Sequence, residues 1–182
     1  RATLAGNICN ASPAADTAPP LLVYDAVVLV AGPDGARRIP IEGFFVRSGV
    51  TTLRPGELVT AVELPLPRGS VGAVHVRRTR RRGHDLASVT LSCAIDARGL
   101  TRISYGSVGP RPVLVSDESG ILADPSATDE AKAPVLERMF ADASPSPRSM
   151  RAGPDYRLAM LRVLGARAVR IALERLAEGR PS

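Results

Sequence analysis

Residues 86–96 read Leu-Ala-Ser-Val-Thr-Leu-Ser-Cys-Ala-Ile-Asp, and this stretch decides how the second part of the chain folds. Apolar and small polar side chains alternate along it, which is the period of a β-strand with one face in a core. The apolar face holds Val89, Leu91, Cys93 and Ile95, and the other face holds Ser88, Thr90 and Ser92. A turn at 97–99 follows, and 101–108 has the composition of a second strand.

The segments on either side extend this strand pair. Residues 72–80 read as a preceding strand, so the sequence predicts a three-stranded antiparallel sheet with one face free for helices. Thr128 opens a helix that runs to about residue 141, with Asp129 and Glu130 placed to favour its positive end. A Pro/Ser/Gly-rich stretch at 144–154 precedes the last helix.

That last helix is predicted over 154–178. Its apolar positions recur at helical spacing on one face, which we expect to cover the exposed side of the sheet. These positions are Leu158, Leu161, Leu164, Ala168, Ile171 and Ala172.

The N-terminal part has its own smaller set of elements. Residues 16–25 predict a short helix with Pro19 and Pro20 in its first turn, where proline is tolerated. A hairpin turns at 32–35 between a strand at 27–30 and a return at 37–41, and 57–64 predicts a third strand. Pro65, Pro67 and Gly69 then break the chain. We therefore predict an α+β protein with units at 1–67 and 68–182.

The first 15 residues combine small side chains with amide and hydroxyl groups, and we expect them to form a loop. Such a loop lets its backbone approach a ligand closely, because Ala5 and Gly6 present almost no obstacle. A surface loop leading into a helix is the alternative. Asp16 has two interpretations, a helix cap or an acceptor for a ligand hydroxyl.

Composition is that of an ordinary folded domain, with 45% hydrophobic and 23% charged residues. No apolar run approaches the ~20 residues that a membrane span requires. The net charge is +6, and much of it comes from Arg77, Arg78, Arg80, Arg81 and Arg82. This run has no interleaved aromatic residues for base stacking, so a nucleic-acid interface is disfavoured. A solvated strand face is one alternative. The preferred interpretation places one arginine on the ligand side and the rest on the surface, because alternate strand residues face opposite sides.

Two cysteines do not make a disulfide framework, and Cys93 reads as a small buried hydrophobe. Cys9 lies in the predicted loop. His75 and His84 lack the cysteine or carboxylate neighbours that a metal site needs, so no metal site is predicted.

Six segments in order carry a resemblance to a known family. They are Thr-Leu-Ala-Gly-Asn-Ile (3–8), Ala-Ser-Pro-Ala-Ala-Asp (11–16), Thr-Leu-Arg-Pro-Gly-Glu-Leu (52–58), Val-Glu-Leu-Pro (62–65), Asp-Leu-Ala-Ser-Val (85–89) and Gly-Ser-Val-Gly-Pro-Arg-Pro-Val (106–113). Together they resemble the FAD-binding medium subunit or domain of the molybdenum hydroxylases, the family of xanthine dehydrogenase and aerobic carbon monoxide dehydrogenase.

The resemblance implies the second half of a flavin-binding α+β domain followed by the C-terminal domain of the subunit. The family's Gly-rich pyrophosphate loop would precede residue 1, and no Gly-x-Gly-x-x-Gly occurs in these 182 residues. We therefore expect the C-terminal part of a flavoprotein subunit, inactive by itself.

The resemblance also implies cofactors and partners. Electrons would pass from 2Fe–2S clusters and a molybdenum cofactor on partner subunits through FAD to NAD or another acceptor. The partners would be an iron–sulfur small subunit and a molybdopterin large subunit, in a cytoplasmic enzyme. The alternative is a non-catalytic assembly module that docks on those two subunits.

Site residues follow position by position from the family motif, and no catalytic residue is among them. Thr3, Gly6 and Asn7 would contact the diphosphate and ribityl region, and Asp16 would accept from a ribityl or ribose hydroxyl. Val59 would lie against the flavin ring, and Arg77 takes the place of the family's Lys or Arg near the flavin.

One departure from the motif is Ala5, which replaces the first glycine of the usual Gly-Gly pair. If that position required positive φ, alanine would cost on the order of 1 kcal/mol.

Overall fold

The N-terminal part of the protein is built on a small antiparallel sheet, seen in a computed structural model that describes residues 2–81 and 85–179. Its three strands lie in the order β2-β1-β5, with the bounds β1 Val27–Gly32, β2 Gly35–Pro40 and β5 Leu58–Glu63. The predicted hairpin is confirmed, because β1 and β2 pair in register down to Gly32 and Gly35. The predicted third strand is β5, which pairs with the other side of β1.

Several short elements of this part were not predicted. A 3-10 turn at Ile41–Gly43 leads into a two-stranded sheet of β3 (Phe45–Arg47) and β4 (Val50–Thr51). Phe44 and Phe45 pack edge to face, with ring centroids 5.5 Å apart, and both are buried. These two aromatic rings anchor the turn in the core of the N-terminal part.

The larger sheet has four strands where the sequence predicted three. Its order is β6-β7-β8-β9, antiparallel throughout, with β6 Val71–Arg78, β7 Val89–Asp96, β8 Thr101–Gly106 and β9 Val113–Asp117. The missed strand is β9, which follows Pro110 and Pro112 and pairs with β8 from Tyr105 to Thr101. Two prolines just before a short strand with only three apolar residues, 113–115, make it resemble a loop. The predicted α+β class is confirmed.

Two long helices cover one face of this sheet. Helix α3 runs Asp129–Met139 and α4 runs Pro154–Glu178, close to the predicted bounds. The Thr128 hydroxyl accepts from the Ala131 amide at 3.3 Å, which confirms the predicted N-cap. Helix α4 packs on β6 and β7, and Leu161, Leu164 and Ala168 join the buried apolar cluster of the sheet. The predicted cover is therefore confirmed.

The other face of the sheet is covered as well. Helix α2 (Ala18–Val23), the predicted short helix, packs against β7 and β8. Thr90, Ser92 and Ser104 are at most 2% exposed beneath this part of the chain. Their small uncharged side chains allow α2 to pack closely on the sheet. The alternation with the apolar face suggests that these polar positions face water, but they are buried.

The irregular stretch before α4 is held by a buried arginine. Arg157 is 4% exposed and donates to the backbone carbonyls of Ala152 and Ser107 and to the Ser149 hydroxyl. Burial lowers the pKa of its guanidinium, since three neutral acceptors replace water. Arg157 therefore ties the start of α4 to the end of β8.

Candidate functional site

The predicted loop at residues 1–15 contains a helix, so that prediction was wrong in part. Helix α1 runs Leu4–Cys9, and its N-cap Thr3 accepts from the Gly6 amide at 3.0 Å. Ile8 is completely buried and anchors the helix to the core. The sequence did contain a pattern for this helix, because a threonine can act as the N-cap by accepting from the backbone amide three residues later.

Two predicted site residues depend on this helix geometry. A Cβ at Gly6 would lie 2.9 Å from the Thr3 Oγ1, so a larger residue there would require the Thr3 hydroxyl to shift. Ala5 is helical, and the positive-φ non-glycine residues of the described chain are Ala11, Asp25 and Ser107. The strain considered for Ala5 does not arise.

The segment after α1 folds back onto the larger sheet. Asn7 receives a hydrogen bond from the Thr17 hydroxyl, which joins the end of α1 to the start of α2. The Ser107 amide donates to the Pro13 carbonyl at 2.7 Å. A Cβ at Gly106 would lie 2.4 Å from that same oxygen, so the glycine is required for the close approach. These contacts place Asp16 over the polar face of the sheet.

Asp16 is the centre of a polar cluster on this face. The Arg77 guanidinium donates to its Oδ2, and the Thr90 hydroxyl donates to its Oδ1 at 3.2 Å. His75 Nε2 lies 3.9 Å from the same Oδ1. Burial alone would raise the pKa of Asp16, but the interactions with His75, Arg77 and Thr90 hold it below its usual value.

Asp16 does not cap a helix. The N-cap of α2 is Thr17, and the cap makes no side-chain hydrogen bond to the helix. The Asp16 carboxylate is turned toward β6 and β7 and remains 36% exposed. The helix-cap interpretation of Asp16 is therefore wrong, and its role as an acceptor for a ligand hydroxyl stays a prediction.

The arginine run divides between the two faces of β6. Arg77 pairs with Asp16, whereas its neighbour Arg78 donates to the Tyr156 hydroxyl on the α4 side at 2.9 Å. Arg80 lies 3.7 Å from Asp85, beyond the end of the strand. Arg82 and His84 lie outside the described residues. Arg77 is thus the arginine that meets Asp16, and its place beside a ligand stays a prediction.

Val59 lies apart from the polar cluster. It pairs with Val30 in the N-terminal sheet and packs against the apolar cluster that includes Ile8. Helix α1 packs against its strand β5. Thr3, Asn7 and Val59 therefore share one edge of the N-terminal part, while Asp16 and Arg77 meet at the larger sheet.

Family comparisons match both parts of the chain. Residues 1–67 match the model of the FAD binding domain in molybdopterin dehydrogenase. Residues 75–172 match the model of the CO dehydrogenase flavoprotein C-terminal domain. The chain belongs to this flavoprotein family of the molybdenum hydroxylases. The resemblance inferred from the six segments is confirmed.

Individual relatives agree with this assignment. The chain is 27% identical over 173 residues to the xanthine dehydrogenase FAD-binding subunit of Escherichia coli O157:H7, covering 92% of this chain and 59% of that protein. It is 29% identical over 174 residues to the carbon monoxide dehydrogenase medium chain of Afipia carboxidovorans, with the same two coverages. The chain thus spans 59% of the length of these curated relatives.

A solved structure shows the same fold. The structure of carbon monoxide dehydrogenase from Hydrogenophaga pseudoflava, which lacks the Mo-pyranopterin moiety of its molybdenum cofactor, superposes with a TM-score of 0.83 at 25% identity. The match covers 96% of this flavoprotein chain and 62% of that chain.

Two residues of the polar cluster, Thr90 and His75, were not predicted from the sequence of this flavoprotein chain. Thr90 stands directly opposite Arg77 in the β6–β7 register, and His75 stands opposite Ser92. The alternation of β7 already placed Thr90 on the non-core face, but pairing it with Arg77 requires the register of two strands. His75 was considered only as a metal ligand, which hid its place on the same strand face as Arg77.

The cysteines take no part in this cluster. Cys93 is completely buried, as predicted, and burial raises the pKa of its thiol to about 12. Partial burial also raises the pKa of Cys9. Neither thiol is poised as a nucleophile or ligand. Within residues 2–81 and 85–179, no cluster of three metal-binding side chains occurs, and no helix is long and apolar enough to cross a membrane.

Proposed function

We propose that this chain supplies the second half of an FAD site in a molybdenum hydroxylase flavoprotein subunit. The observation that carries the proposal is the Asp16–Arg77–Thr90 cluster, in which an acceptor and a cation meet at a partly exposed surface between two family-matched segments. Asp16 retains 36% and Arg77 43% of side-chain exposure, so both remain accessible to a ligand.

The residues present fit an FAD group. Thr3 and Gly6 lie at the start of α1, where the Thr3 hydroxyl accepts from the Gly6 amide and keeps its own proton to donate, which suits the diphosphate and ribityl region. The side-chain amide oxygen of Asn7 accepts from the Thr17 hydroxyl, and the side-chain amide nitrogen takes no part in that hydrogen bond. We assign these three residues to that region of the cofactor, as the family motif implies.

The other three residues are assigned one role each, as a hydrogen-bond acceptor, an apolar surface and a positive charge. Asp16 accepts a hydrogen bond from a ribityl or ribose hydroxyl, since a carboxylate has lone pairs beyond those used by Arg77 and Thr90. Val59 offers an apolar surface to the flavin ring. Arg77 favours the negative charge that the flavin gains on reduction. Bound FAD supplies the redox chemistry, while the chain positions and charges its surroundings.

The proposal extends to the electron route. Electrons would reach FAD from iron–sulfur clusters on a small subunit, after oxidation of substrate at a molybdopterin large subunit, and leave to NAD or another acceptor. The names of the relatives, a xanthine dehydrogenase FAD-binding subunit and a carbon monoxide dehydrogenase medium chain, support a place in a multi-subunit dehydrogenase, and the route itself stays a proposal. We also propose a cytoplasmic location and a domain boundary between residues 67 and 68.

FAD titration tests the proposal. The 182-residue chain should bind FAD weakly, because a cofactor site divided between two chain segments needs both. The complete subunit, meaning this chain joined to the upstream flavin-binding part that the family resemblance implies, should purify yellow with one FAD. A complete subunit that takes up no FAD when refolded with excess cofactor would overturn the proposed function, and stoichiometric FAD on the 182 residues alone would overturn the division of the site.

A further inference from the structure

A basic cleft lies beside the start of α4, on the face of β6 away from Asp16. Its volume is about 280 Å³. The polar side chains that line it come from the end of β6, the residue before β7 and the segment around the start of α4: Arg78, Thr79, Arg80, Ser88, Arg151 and Tyr156. Three of these six residues are arginines, and no acid is among the lining residues in the described part of the chain.

Arg78 is held at one side of this cleft. Its Nε donates to the Tyr156 hydroxyl at 2.9 Å, and within the described residues its two terminal nitrogens make no hydrogen bond or ion pair. The Tyr156 hydroxyl accepts from Arg78 and keeps its own proton to donate. Both residues therefore present free hydrogen-bond donors to the cleft.

Arg151 lies near a buried arginine that has no acidic partner among the described residues. Arg157 is 4% exposed, and its acceptors are the neutral Ala152 and Ser107 carbonyls and the Ser149 hydroxyl. Burial and the Arg151 charge both lower the pKa of the Arg157 guanidinium. Buried charges are ordinarily paired with an opposite charge. The positive charge of these two arginines is therefore available to attract an external anion.

Two acids belong to the segments that line the cleft, and they offset only part of this charge. Asp85, whose side chain is 5% exposed, lies 3.7 Å from Arg80 and balances that arginine. Asp155 is exposed in the first turn of α4 and does not line the cleft. Arg78 and Arg151 form no ion pair with a described acid. The cleft thus keeps a net positive charge, which favours an anionic ligand.

The start of α4 supplies further donors at the same place. Its N-cap is Gly153, which has no side chain to accept from the helix amides, and Pro154 follows. The first intrahelical bond runs from the Arg157 amide to the Gly153 carbonyl at 3.2 Å, so the amides of Asp155 and Tyr156 precede it. Backbone amides at the start of a helix favour an anion, which adds to the attraction of the arginines.

We propose that this cleft is a phosphate-binding site, in which Arg78, Arg151 and the Tyr156 hydroxyl hold a phosphate group in front of α4. Guanidinium groups suit this ligand because their N–H groups match phosphate oxygens in pairs. The volume lies just below the roughly 300–1,000 Å³ of sites for drug-sized ligands, which favours a single phosphate group over a larger anion. The inference goes beyond the proposed function, since Asp16 and Arg77 lie on the other face of the sheet.

Isothermal titration of the 182-residue chain with inorganic phosphate, at constant ionic strength, tests the site. We expect one saturable phosphate per chain. Arg78→Gln and Arg151→Gln should each weaken phosphate binding about tenfold, because each removes charge-assisted hydrogen bonds. Arg148→Gln is the matched control, since Arg148 is exposed three residues before Arg151 and does not line the cleft. This control should change the affinity by less than about twofold.

Tyr156→Phe keeps the test decisive if an arginine variant fails to fold. It removes one hydroxyl from an exposed ring, so thermal unfolding should change little while phosphate binding weakens about threefold. No saturable phosphate binding by the wild type overturns the inference. Equal losses in Arg148→Gln and the cleft variants, or wild-type affinity in all the cleft variants, overturn it too, because the arginines would then act as a general charged surface.

A second titration distinguishes free phosphate from a phosphorylated small molecule. AMP that binds more tightly than inorganic phosphate identifies a phosphate ester as the ligand class, and AMP that binds no more tightly identifies the free anion. Adenosine that binds as tightly as AMP overturns the inference, since recognition would then not involve the phosphate. Failure of the complete subunit to take up FAD overturns the proposed function and leaves this site standing, whereas absence of phosphate binding overturns this site and leaves the proposed function standing.

Discussion

The two faces of the four-stranded sheet are both buried, but they differ in the side chains that they carry. The face toward α4 is apolar, with Leu91, Cys93 and Ile95 completely buried in one cluster. The face toward α2 carries Thr90 and Ser92, equally buried, and leads to the Asp16 cluster at its edge. The comparison teaches that one strand, β7, serves stability on one side and site geometry on the other.

The largest expected effect comes from a substitution that disrupts the packing of the apolar face. Leu91→Ala removes a completely buried side chain and leaves a cavity against α4, so the free energy of unfolding should fall by about 2–5 kcal/mol. Its neighbour on the other face is the matched control. Ser92→Ala should lower the free energy of unfolding by about 1 kcal/mol or less, because it removes one hydrogen bond to the partly exposed ring of His75.

Urea unfolding of both variants measures this difference. Equal losses for Leu91→Ala and Ser92→Ala would mean that the polar layer under α2 contributes as much stability as the apolar core, contrary to the comparison.

The next effect concerns the polar face. Asp16→Ala in the complete subunit should weaken FAD binding by roughly 1–3 kcal/mol, since it removes a charged acceptor. Global stability should change much less, because the carboxylate is partly exposed and caps no helix. Isothermal titration and thermal unfolding on the same sample measure both quantities. A variant that loses stability while keeping its FAD affinity would show that Asp16 is a structural link only.

A smaller effect appears in acid. The pKa of Asp16 in the folded protein lies below its ordinary value. The carboxylate therefore stabilises the fold at pH values above that ordinary pKa, and this contribution is lost as the pH falls through the pKa of the folded state. Asp16→Asn lacks this contribution at every pH. The difference in unfolding free energy between wild type and Asp16→Asn should therefore shrink below about pH 4. A difference that stays constant down to pH 2 would contradict the lowered pKa.

The contrast between the faces also explains what the sequence could predict. The period of β7 and the helical spacing of α4 depend on local pattern, and both were predicted correctly. Strand β9 was missed because prolines precede it, and α1 was missed because the composition of residues 1–15 favours turns. Asp16 and Arg77 came from the family motif. His75 and Thr90 required the β6–β7 register, which two separate strand patterns do not determine.

The smallest effect separates neighbouring arginines on β6 by the face they occupy. Arg77→Gln in the complete subunit should make the flavin harder to reduce, because it removes a cation near the charge that reduction creates. Solvent limits the size of this shift, since 43% of the Arg77 side chain is exposed.

Arg78→Gln is the closest control, because Arg78 is the next residue along β6 and donates to Tyr156 on the α4 side. Arg80→Gln, next to Asp85, is a second control that should also leave the flavin midpoint potential unchanged. Spectroelectrochemical titration of the three variants decides the point. Equal shifts in all three, or a shift only in the controls, would mean that the arginine run acts as a charged surface and that the α2 face of the sheet has no special relation to the flavin.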